Sequence, residues 1–185
     1  NDGENNGTEI ATGTNPNDPC SYTNAPLSAS AAYATWSVLD CDGDGTPNGS
    51  DLSPKDIVIV PAFGTTLETQ QILNDIGIDS YAYDTTCPFV EKVWNRANSI
   101  GQKDYSVIVH GKPSHEETKA TFSHSQAVTP TLIIKDFAQA TLLADFITCK
   151  RSEAEFYEVF EGQFSAGFNP KTDLTRIGVV NQTTM

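Results

Sequence analysis

The feature that most constrains the fold of this chain is an alternation of short apolar runs with helical patterns from residue 56 onward. The apolar runs predict strands over residues 57–62, 78–83, 105–110, 132–134 and 177–181. Apolar residues at helical spacing predict helices over 66–76, 88–101, 114–122, 138–147 and 153–160. Strands and helices that alternate at this spacing indicate an α/β layered fold with a largely parallel sheet.

The first of these runs, residues 57–62, is wholly apolar in its side chains. Such a run is typical of a parallel strand that is covered on both faces. The first helix is predicted to end at Gly77, because glycine adopts the left-handed conformation that commonly closes a helix.

Charge divides the chain near residues 53–56. Residues 1–56 carry nine of the 24 acidic side chains but only one of the 11 basic ones, Lys55. The formal net charge of -13 argues against a nucleic-acid-binding protein, since no basic cluster is available to follow phosphates. No run is long enough to span a bilayer, so we expect no membrane partner. We predict an acidic segment over 1–55 and an α/β domain over 56–185.

The acidic segment contains a candidate calcium loop over residues 40–51, which reads Asp-Cys-Asp-Gly-Asp-Gly-Thr-Pro-Asn-Gly-Ser-Asp. Oxygen-bearing side chains recur along this loop, and Gly45 stands at the position where a calcium loop turns sharply. The loop departs from the EF-hand pattern in its final aspartate, which replaces glutamate, and in its lack of predicted flanking helices. An acidic, solvated turn remains the alternative. The predicted Ca²⁺ ligands are Asp40, Asp42, Asp44, Thr46, Asn48 and Asp51.

Cys87 stands at a predicted strand-to-helix junction. Pro88 suits the first helical position, where its missing N–H costs nothing. A thiol at a helix N-terminus ionises more easily, and the thiolate is the form that binds metal or attacks a substrate. The alternative is a small residue buried at a tight junction, and the local pattern does not decide between the two.

Polar or reactive residues follow the carboxyl ends of the predicted strands, where parallel α/β sheets bind ligands. Each also has an ordinary structural explanation; Ser114 and Glu117, for example, match a helix capping box. Because all of them fall on one rim, we predict a shared site along one edge of the sheet, with Cys149 elsewhere. The rim residues are Thr65, Thr66, Cys87, His115, Glu117, Thr183 and Thr184.

Four segments, taken in order, resemble consecutive blocks of the IspH/LytB family of hydroxymethylbutenyl diphosphate reductases, in the branch shared by Bacteroidetes, cyanobacteria and plants. They read PAFGTT (61–66), DTTCPFVEKVWN (84–95), HGKPSHEET (110–118) and GVVNQTTM (178–185). The resemblance covers roughly residues 57–185.

This resemblance implies a fold of three similar α/β units around a 4Fe-4S iron–sulfur cluster. It implies an oxidoreductase that removes a hydroxyl from an allylic diphosphate by two-electron reduction, giving isopentenyl and dimethylallyl diphosphate. That reaction is the last step of isoprenoid biosynthesis by the non-mevalonate pathway. The resemblance further implies a cytoplasmic location and an electron donor such as ferredoxin or flavodoxin.

Site roles also follow from the resemblance. Cys87 matches one of three cysteines that hold the cluster, and His115 matches a histidine that binds the diphosphate. Glu117 matches the acid that delivers a proton to the departing hydroxyl. Thr183 matches a threonine at the substrate, with Gln182 beside it. These types suit the chemistry, because imidazole N–H groups donate to phosphate and a shielded carboxyl can hold a proton.

Several departures from the family indicate that the chain carries only part of the enzyme and is inactive alone. The first cluster cysteine and an early substrate histidine belong upstream, where this chain has the acidic segment. The third cysteine and a Ser-x-Asn diphosphate motif belong beyond Met185. Cys149 lies in a variable insertion, and Phe63 stands where many bacterial members have histidine.

Residues 1–52 are similar to thrombospondin type 3-like calcium repeats, with their D-x-D-x-D-G-x-x-N-x-x-D signature. This second resemblance implies a spacer that folds with calcium, and a Cys20–Cys41 disulfide that suits an oxidising compartment. The alternative function is therefore a secreted or cell-surface calcium-binding spacer protein in which the α/β part is a passenger.

Overall fold

The computed structural model describes Leu52 and residues 54–184. The predicted calcium loop, Cys20 and Cys41 lie outside the described residues. The chain divides into two compact units, residues 1–56 and 57–185, and the second is described below. The predicted assignment of 1–55 to a calcium segment and 56–185 to a reductase-like domain stays a prediction.

The second unit alternates helices with strands. Its helices are α1 (Leu67–Ile76), α2 (Pro88–Gly101), α3 (Glu116–Gln126), α4 (Phe137–Ile147), α5 (Glu153–Val159) and α6 (Pro170–Asp173). Its strands are β1 (Ser106–His110), β2 (Thr131–Ile134) and β3 (Ile177–Asn181).

The three strands form one parallel sheet in the order β2-β1-β3. The central strand β1 pairs through Ile108 with Leu132 of β2 and with Val179 of β3. Each strand is followed or preceded by helices that cross over the sheet, as parallel pairing requires. The predicted α/β class with a parallel sheet is confirmed.

Side chains of β1 alternate between two apolar layers, because successive residues of a strand point to opposite faces. Val107 and Val109 pack with Ala97 of α2 on one face. Ile108 packs on the other face, in a cluster that includes Phe146 of α4 and Phe156 of α5. The sheet is therefore covered on both sides. Complete burial of a side chain such as Phe156 contributes about 1.5–3 kcal/mol.

The helices that frame the candidate site begin and end as the sequence predicts. The Thr66 side chain caps α1, and Gly77 closes that helix with a φ of 91°. Cys87 is the N-cap of α2, and Pro88 occupies its first turn. Strand β3 has the predicted bounds.

Two predicted strands, 57–62 and 78–83, are wrong. Only one isolated parallel bridge, between Val60 and Asp84, joins these stretches. The described residues provide no second layer over the first run, whose Ile57 and Ile59 are 67% and 64% exposed. In the second run the Asp79 side chain accepts a hydrogen bond from the Tyr81 N–H, which bends the backbone into a turn instead of a strand.

The start of α3 also differs from the prediction. The helix begins at Glu116 and runs to Gln126, four residues beyond the predicted end at 122. Its N-cap is His115 instead of Ser114, because the His115 ring accepts the Glu117 N–H. Short helix α6, which Asn169 caps, was not predicted. Within Leu52 and 54–184, no helix has the length and apolar character needed to cross a membrane.

Candidate functional site

The candidate site lies at the carboxyl edge of the sheet. Strands β1 and β3 end together, with His110 opposite Asn181. Residues 111–117 and 182–184, which leave these two strands, are therefore neighbours at one edge. This is the edge at which parallel α/β sheets bind ligands.

Glu117 is the most enclosed acidic residue of this edge, with only 1% of its surface exposed. Its Oε1 accepts a hydrogen bond from the Thr183 backbone N–H. Its Oε2 accepts one from the Thr184 hydroxyl at 2.8 Å. The alternative reading of Glu117 as a capping-box residue is wrong, since its carboxylate joins the segment after β3 and His115 caps the helix.

Gln182 ties the same two segments together. Its Oε1 accepts hydrogen bonds from the Lys112 N–H at 3.2 Å and the Thr118 hydroxyl at 2.9 Å. Its Nε2 donates to the carbonyl and the hydroxyl of Thr184 at 3.2 and 3.1 Å. The Thr184 hydroxyl thus accepts a hydrogen bond from Gln182 and donates one to Glu117. These contacts hold the site together, and the predicted contact of Gln182 with a substrate stays a prediction.

Gly111 allows this network to close. A Cβ at this position would lie 2.4 Å from the Thr118 Oγ1 and 3.0 Å from the Gln182 Oε1. Real Cβ atoms essentially never approach another heavy atom within 3.0 Å. A side chain at residue 111 would therefore force Thr118 and Gln182 apart.

His115 uses one of its ring nitrogens, Nδ1, in a hydrogen bond within the protein. Its Nδ1 accepts the Glu117 N–H at 3.2 Å, so the proton of the neutral ring is on Nε2. The Phe63 ring packs edge-on against the imidazole, with 6.4 Å between ring centroids. The residue is half-buried.

Cys87 has a free thiol at the N-terminus of α2. Its backbone N–H donates to the Ala62 carbonyl at 2.8 Å, and its carbonyl accepts the Val90 N–H. The side chain makes no capping hydrogen bond. Cys87 is half-buried and its sulfur makes no hydrogen bond to the helix, so the sulfur is available as one ligand of a metal centre.

Residues 61–66, hereafter the 61–66 loop, contact both Cys87 and His115. Ala62 accepts the hydrogen bond from Cys87, and Phe63, the next residue, packs on His115. Within Leu52 and 54–184 no group of three or more histidine, cysteine, aspartate or glutamate residues could hold a metal ion. Cys87 fits a cluster as one ligand, and the described residues do not complete a metal site around it.

The remaining predicted rim residues have local roles. Thr66 caps α1, and the Thr65 carbonyl lies 3.2 Å from the His124 Nε2. Thr183 and Thr184 are exposed at their side chains and meet Glu117 as described above. Cys149 is exposed just beyond the C-terminus of α4, the end of that helix that is further along the chain from the carboxyl edge of β2.

Sequence reasoning missed Thr118 and the polar interior of α3. The buried face of that helix is largely polar, and it includes Glu117, Thr118, Thr121, Ser123 and Ser125. A buried polar face needs internal hydrogen-bond partners, so this pattern was the available signal for a network. What the pattern could not supply was the identity of the partner, Gln182, which lies 64 residues from Thr118.

A sequence model of the LytB protein family matches residues 36–185, most of the chain. The chain belongs to the LytB family. The match begins upstream of residue 57, where the four motif blocks placed the start of the resemblance, so the predicted calcium loop lies inside the matched range.

Several proteins similar to this chain are 4-hydroxy-3-methylbut-2-enyl diphosphate reductases. The chain is 42% identical over 142 residues to the 4-hydroxy-3-methylbut-2-enyl diphosphate reductase of Synechocystis sp., which covers 77% of the chain and 36% of that protein. It is 41% identical over 142 residues to the namesake from Rippkaea orientalis, covering 77% and 34%. It is 36% identical to the chloroplastic enzyme of the alga Botryococcus braunii, covering 80% and 28%. The chain thus spans about a third of the length of these LytB relatives.

A solved structure of (E)-4-hydroxy-3-methyl-but-2-enyl diphosphate reductase, described as the terminal enzyme of the non-mevalonate pathway, is also similar. It is 19% identical, has a TM-score of 0.49, and covers 74% of this chain and 48% of the solved one.

Proposed function

We propose that this chain is a part of a 4-hydroxy-3-methylbut-2-enyl diphosphate reductase, and that the full-length protein removes the hydroxyl of that allylic diphosphate by two-electron reduction. The observation that carries the proposal is the enclosure of Glu117 between Thr183 and Thr184, at the same sheet edge as His115. The names of the LytB relatives supply the substrate class.

The reaction breaks one carbon–oxygen bond and forms one carbon–hydrogen bond, and it consumes two electrons and two protons. One proton goes to the departing oxygen, which leaves as water, and the other goes to an allylic carbon. A 4Fe-4S cluster, when bound, supplies the electrons at the substrate. Cys87 would hold that cluster with cysteines that the described residues do not include. At the N-cap of α2 its side chain makes no capping hydrogen bond, so the sulfur is available to the cluster.

His115 would bind the diphosphate. The Nδ1 of its ring accepts the Glu117 N–H, so the N–H donor of the neutral ring is on Nε2. A donor fixed in one tautomer positions an anionic group more precisely than a freely rotating one, and positioning contributes a large part of the rate of such reactions.

Glu117 would hold the proton for the departing hydroxyl. Its carboxyl is removed from bulk water and faces the Thr184 hydroxyl, which Gln182 orients in turn. Thr183, whose N–H fixes the other carboxyl oxygen, would contact the substrate through its exposed side chain. The buried hydrogen bond from the Thr118 hydroxyl to Gln182 holds the segment that carries Thr183 and Thr184 against α3.

The proposal is tested in a full-length cyanobacterial relative that carries residues 57–185 of this chain. After anaerobic cluster reconstitution, turnover is followed with a reduced viologen dye. Glu117→Gln should lower kcat by at least about 100-fold, the usual scale of general acid catalysis, while Glu116→Gln stays near the parent protein. Equal activity of the two variants would overturn the proposed role of Glu117.

For the electron donor we propose an acidic protein such as ferredoxin or flavodoxin that docks on α2. Lys92 and Arg96 are exposed one turn apart and line a groove beside Asn181. Neither forms an ion pair with any residue from 54 to 184. The double variant Lys92→Glu, Arg96→Glu should raise KM for a reduced ferredoxin and leave dye-driven turnover unchanged, and Lys103→Glu serves as the control.

A cytoplasmic location goes with this function, since cluster assembly and the electron donors named above belong to a reducing compartment. The acidic loop carries a separate proposal, which rests on its sequence alone. We propose that Asp40, Asp42, Asp44, Thr46, Asn48 and Asp51 bind one Ca²⁺, because their spacing places oxygen ligands around one point.

A further inference from the structure

A second cluster of contacts lies behind the candidate site. The imidazole of His124 on α3 stacks on the indole of Trp94 on α2, with ring centroids 3.8 Å apart and planes 11° apart. The Trp94 Nε1–H donates to the Thr121 hydroxyl at 3.2 Å. The two rings therefore bind α2 and α3 together, and neither has a role in the function proposed above.

His124 also reaches the 61–66 loop. Its Nε2 lies 3.2 Å from the Thr65 carbonyl, and since a carbonyl can only accept, Nε2 carries the proton and donates it. The neighbouring Ser123 hydroxyl accepts the Leu67 N–H at 2.9 Å. Adjacent residues of α3 thus fix the end of the loop and the start of α1.

Trp94 fixes the middle of the same loop. Gly64 has a φ of 78°, and a Cβ built there would lie 2.4 Å from the indole ring. The ring therefore packs directly on the bare backbone of Gly64. The Gly64 N–H donates to the Pro61 carbonyl at 2.8 Å, which closes the loop into a tight turn under the indole.

The clamped loop is the segment that touches two predicted site residues. Its Ala62 carbonyl accepts the Cys87 N–H at 2.8 Å, and its Phe63 ring packs edge-on against His115. A shift of the loop would release both contacts together. Cys87 and His115 stand on different helices, and this loop connects them.

We propose that His124 and Trp94 are positioning residues that hold the 61–66 loop against Cys87 and His115. The hydrogen bond from His124 to the Thr65 carbonyl fixes the position of the loop, and the Trp94 indole limits how far the loop can move. The importance of this device for cluster and diphosphate binding rests on the proposed function; the effect on Cys87 does not, because it follows from the contacts themselves.

The test compares two substitutions in the 185-residue chain. His124→Phe keeps a ring against Trp94 and removes the N–H donor, whereas His124→Gln retains a planar N–H donor. Alkylation of each cysteine by iodoacetamide is followed by peptide mass spectrometry, with exposed Cys149 as the internal control. Loss of a partly buried hydrogen bond changes a local opening equilibrium by about two- to tenfold, so His124→Phe should accelerate alkylation of Cys87 by that factor.

The proposal further requires that Cys149 react at an unchanged rate and that His124→Gln restore the slow reaction of Cys87. An unchanged Cys87 rate in His124→Phe, or equal acceleration of both cysteines, would overturn it. If His124→Phe fails to fold by circular dichroism, Gly64→Ala decides the matter, since its Cβ displaces the loop from Trp94 and should expose Cys87 in the same way. None of these rates requires cluster, substrate or turnover, so a failure of the proposed function would be seen separately, in the viologen assay.

Discussion

The carboxylate of Glu117 accepts a hydrogen bond from the backbone N–H of Thr183, which lies 66 residues further along the chain. The contact joins the first turn of α3 to the segment that leaves β3. Each oxygen of this buried carboxylate accepts one hydrogen bond, from a backbone N–H and from a hydroxyl. A neutral amide has a single oxygen and cannot accept on both sides.

Glu117→Gln should therefore destabilise the chain by about 1–3 kcal/mol, because an amide whose oxygen stays on the Thr183 N–H would turn its NH₂ toward Thr184, and the Thr184 O–H would lose its acceptor. Urea unfolding followed by circular dichroism measures this loss. Glu116→Gln is the matched control, since Glu116 is exposed and its ion pair with Lys119 lies on the surface. Equal midpoints for the two variants would contradict the account of the Glu117 contacts.

The pH dependence of stability should carry the signature of His124. Burial against Trp94 lowers the pKa of this imidazole from its ordinary 6.5, while the Thr65 carbonyl, Glu68 and Asp84 oppose the shift. Below pH 6.5 the unfolded chain thus binds more protons at this position than the folded one. Stability is complete above the unfolded pKa and is lost as the pH falls through 6.5 toward the folded pKa.

Urea midpoints measured at about pH 7.5 and about pH 5.5 test this expectation. The parent chain should lose more stability between the two values than His124→Phe, which has no proton to bind at this position. A variant with the same pH slope as the parent would mean that the slope arises elsewhere.

Much of the fold followed from local pattern. The bounds of β3 and the start of α2 at Pro88 depend on short-range rules, a buried apolar run and a proline at the first turn. The strand predicted over 78–83 does not form, because the side chain of Asp79, within this run, hydrogen-bonds to the backbone and stabilises a turn. The strand predicted over 57–62 does not form either. An apolar run becomes a buried strand only where other elements cover it.

The candidate site was predictable in its residue types and less so in its contacts. The sheet-edge rule placed His115, Glu117 and Thr183 together, and they are neighbours. We predicted Ser114 as the cap of α3, but the cap is His115, because its Nδ1 accepts the Glu117 N–H. The Glu117 carboxylate is therefore free to bind Thr183. The links from Gln182 to Thr118 join distant parts of the chain, and no local pattern encodes such pairs.

The acidic loop should bind calcium weakly. With no predicted helices to preorganise it, we expect a Kd of about 10⁻⁴–10⁻³ M, the range of extracellular calcium modules. Titration calorimetry on the whole 185-residue chain measures this, with Asp42→Ala and Asp44→Ala as the informative variants and Asp75→Ala as the control. Heat that the two loop substitutions leave unchanged would remove the calcium assignment.

The 185-residue chain should not turn the substrate over by itself. The family resemblance implies a cluster held by three cysteines, and Cys87 is the ligand that we propose within residues 54–184. A cluster held by a single protein thiolate is exposed to solvent and is quickly lost. Anaerobic reconstitution with iron and sulfide should leave well below one cluster per chain. Stoichiometric cluster absorption with turnover would show that other residues, or a second copy of the chain, complete the site.

The proposed reductase function is tested most directly by identifying the product that forms when residues 57–185 replace their counterpart in the Synechocystis sp. relative. The reconstituted chimera is supplied with 4-hydroxy-3-methylbut-2-enyl diphosphate and reduced viologen, and the products are identified by mass spectrometry. We expect isopentenyl and dimethylallyl diphosphate, formed at a kcat within about tenfold of that of the parent enzyme. The reason is that the grafted Glu117, His115 and Cys87 would be arranged as their counterparts are in the parent enzyme. A chimera that folds, holds its cluster and leaves the substrate unchanged would contradict the account.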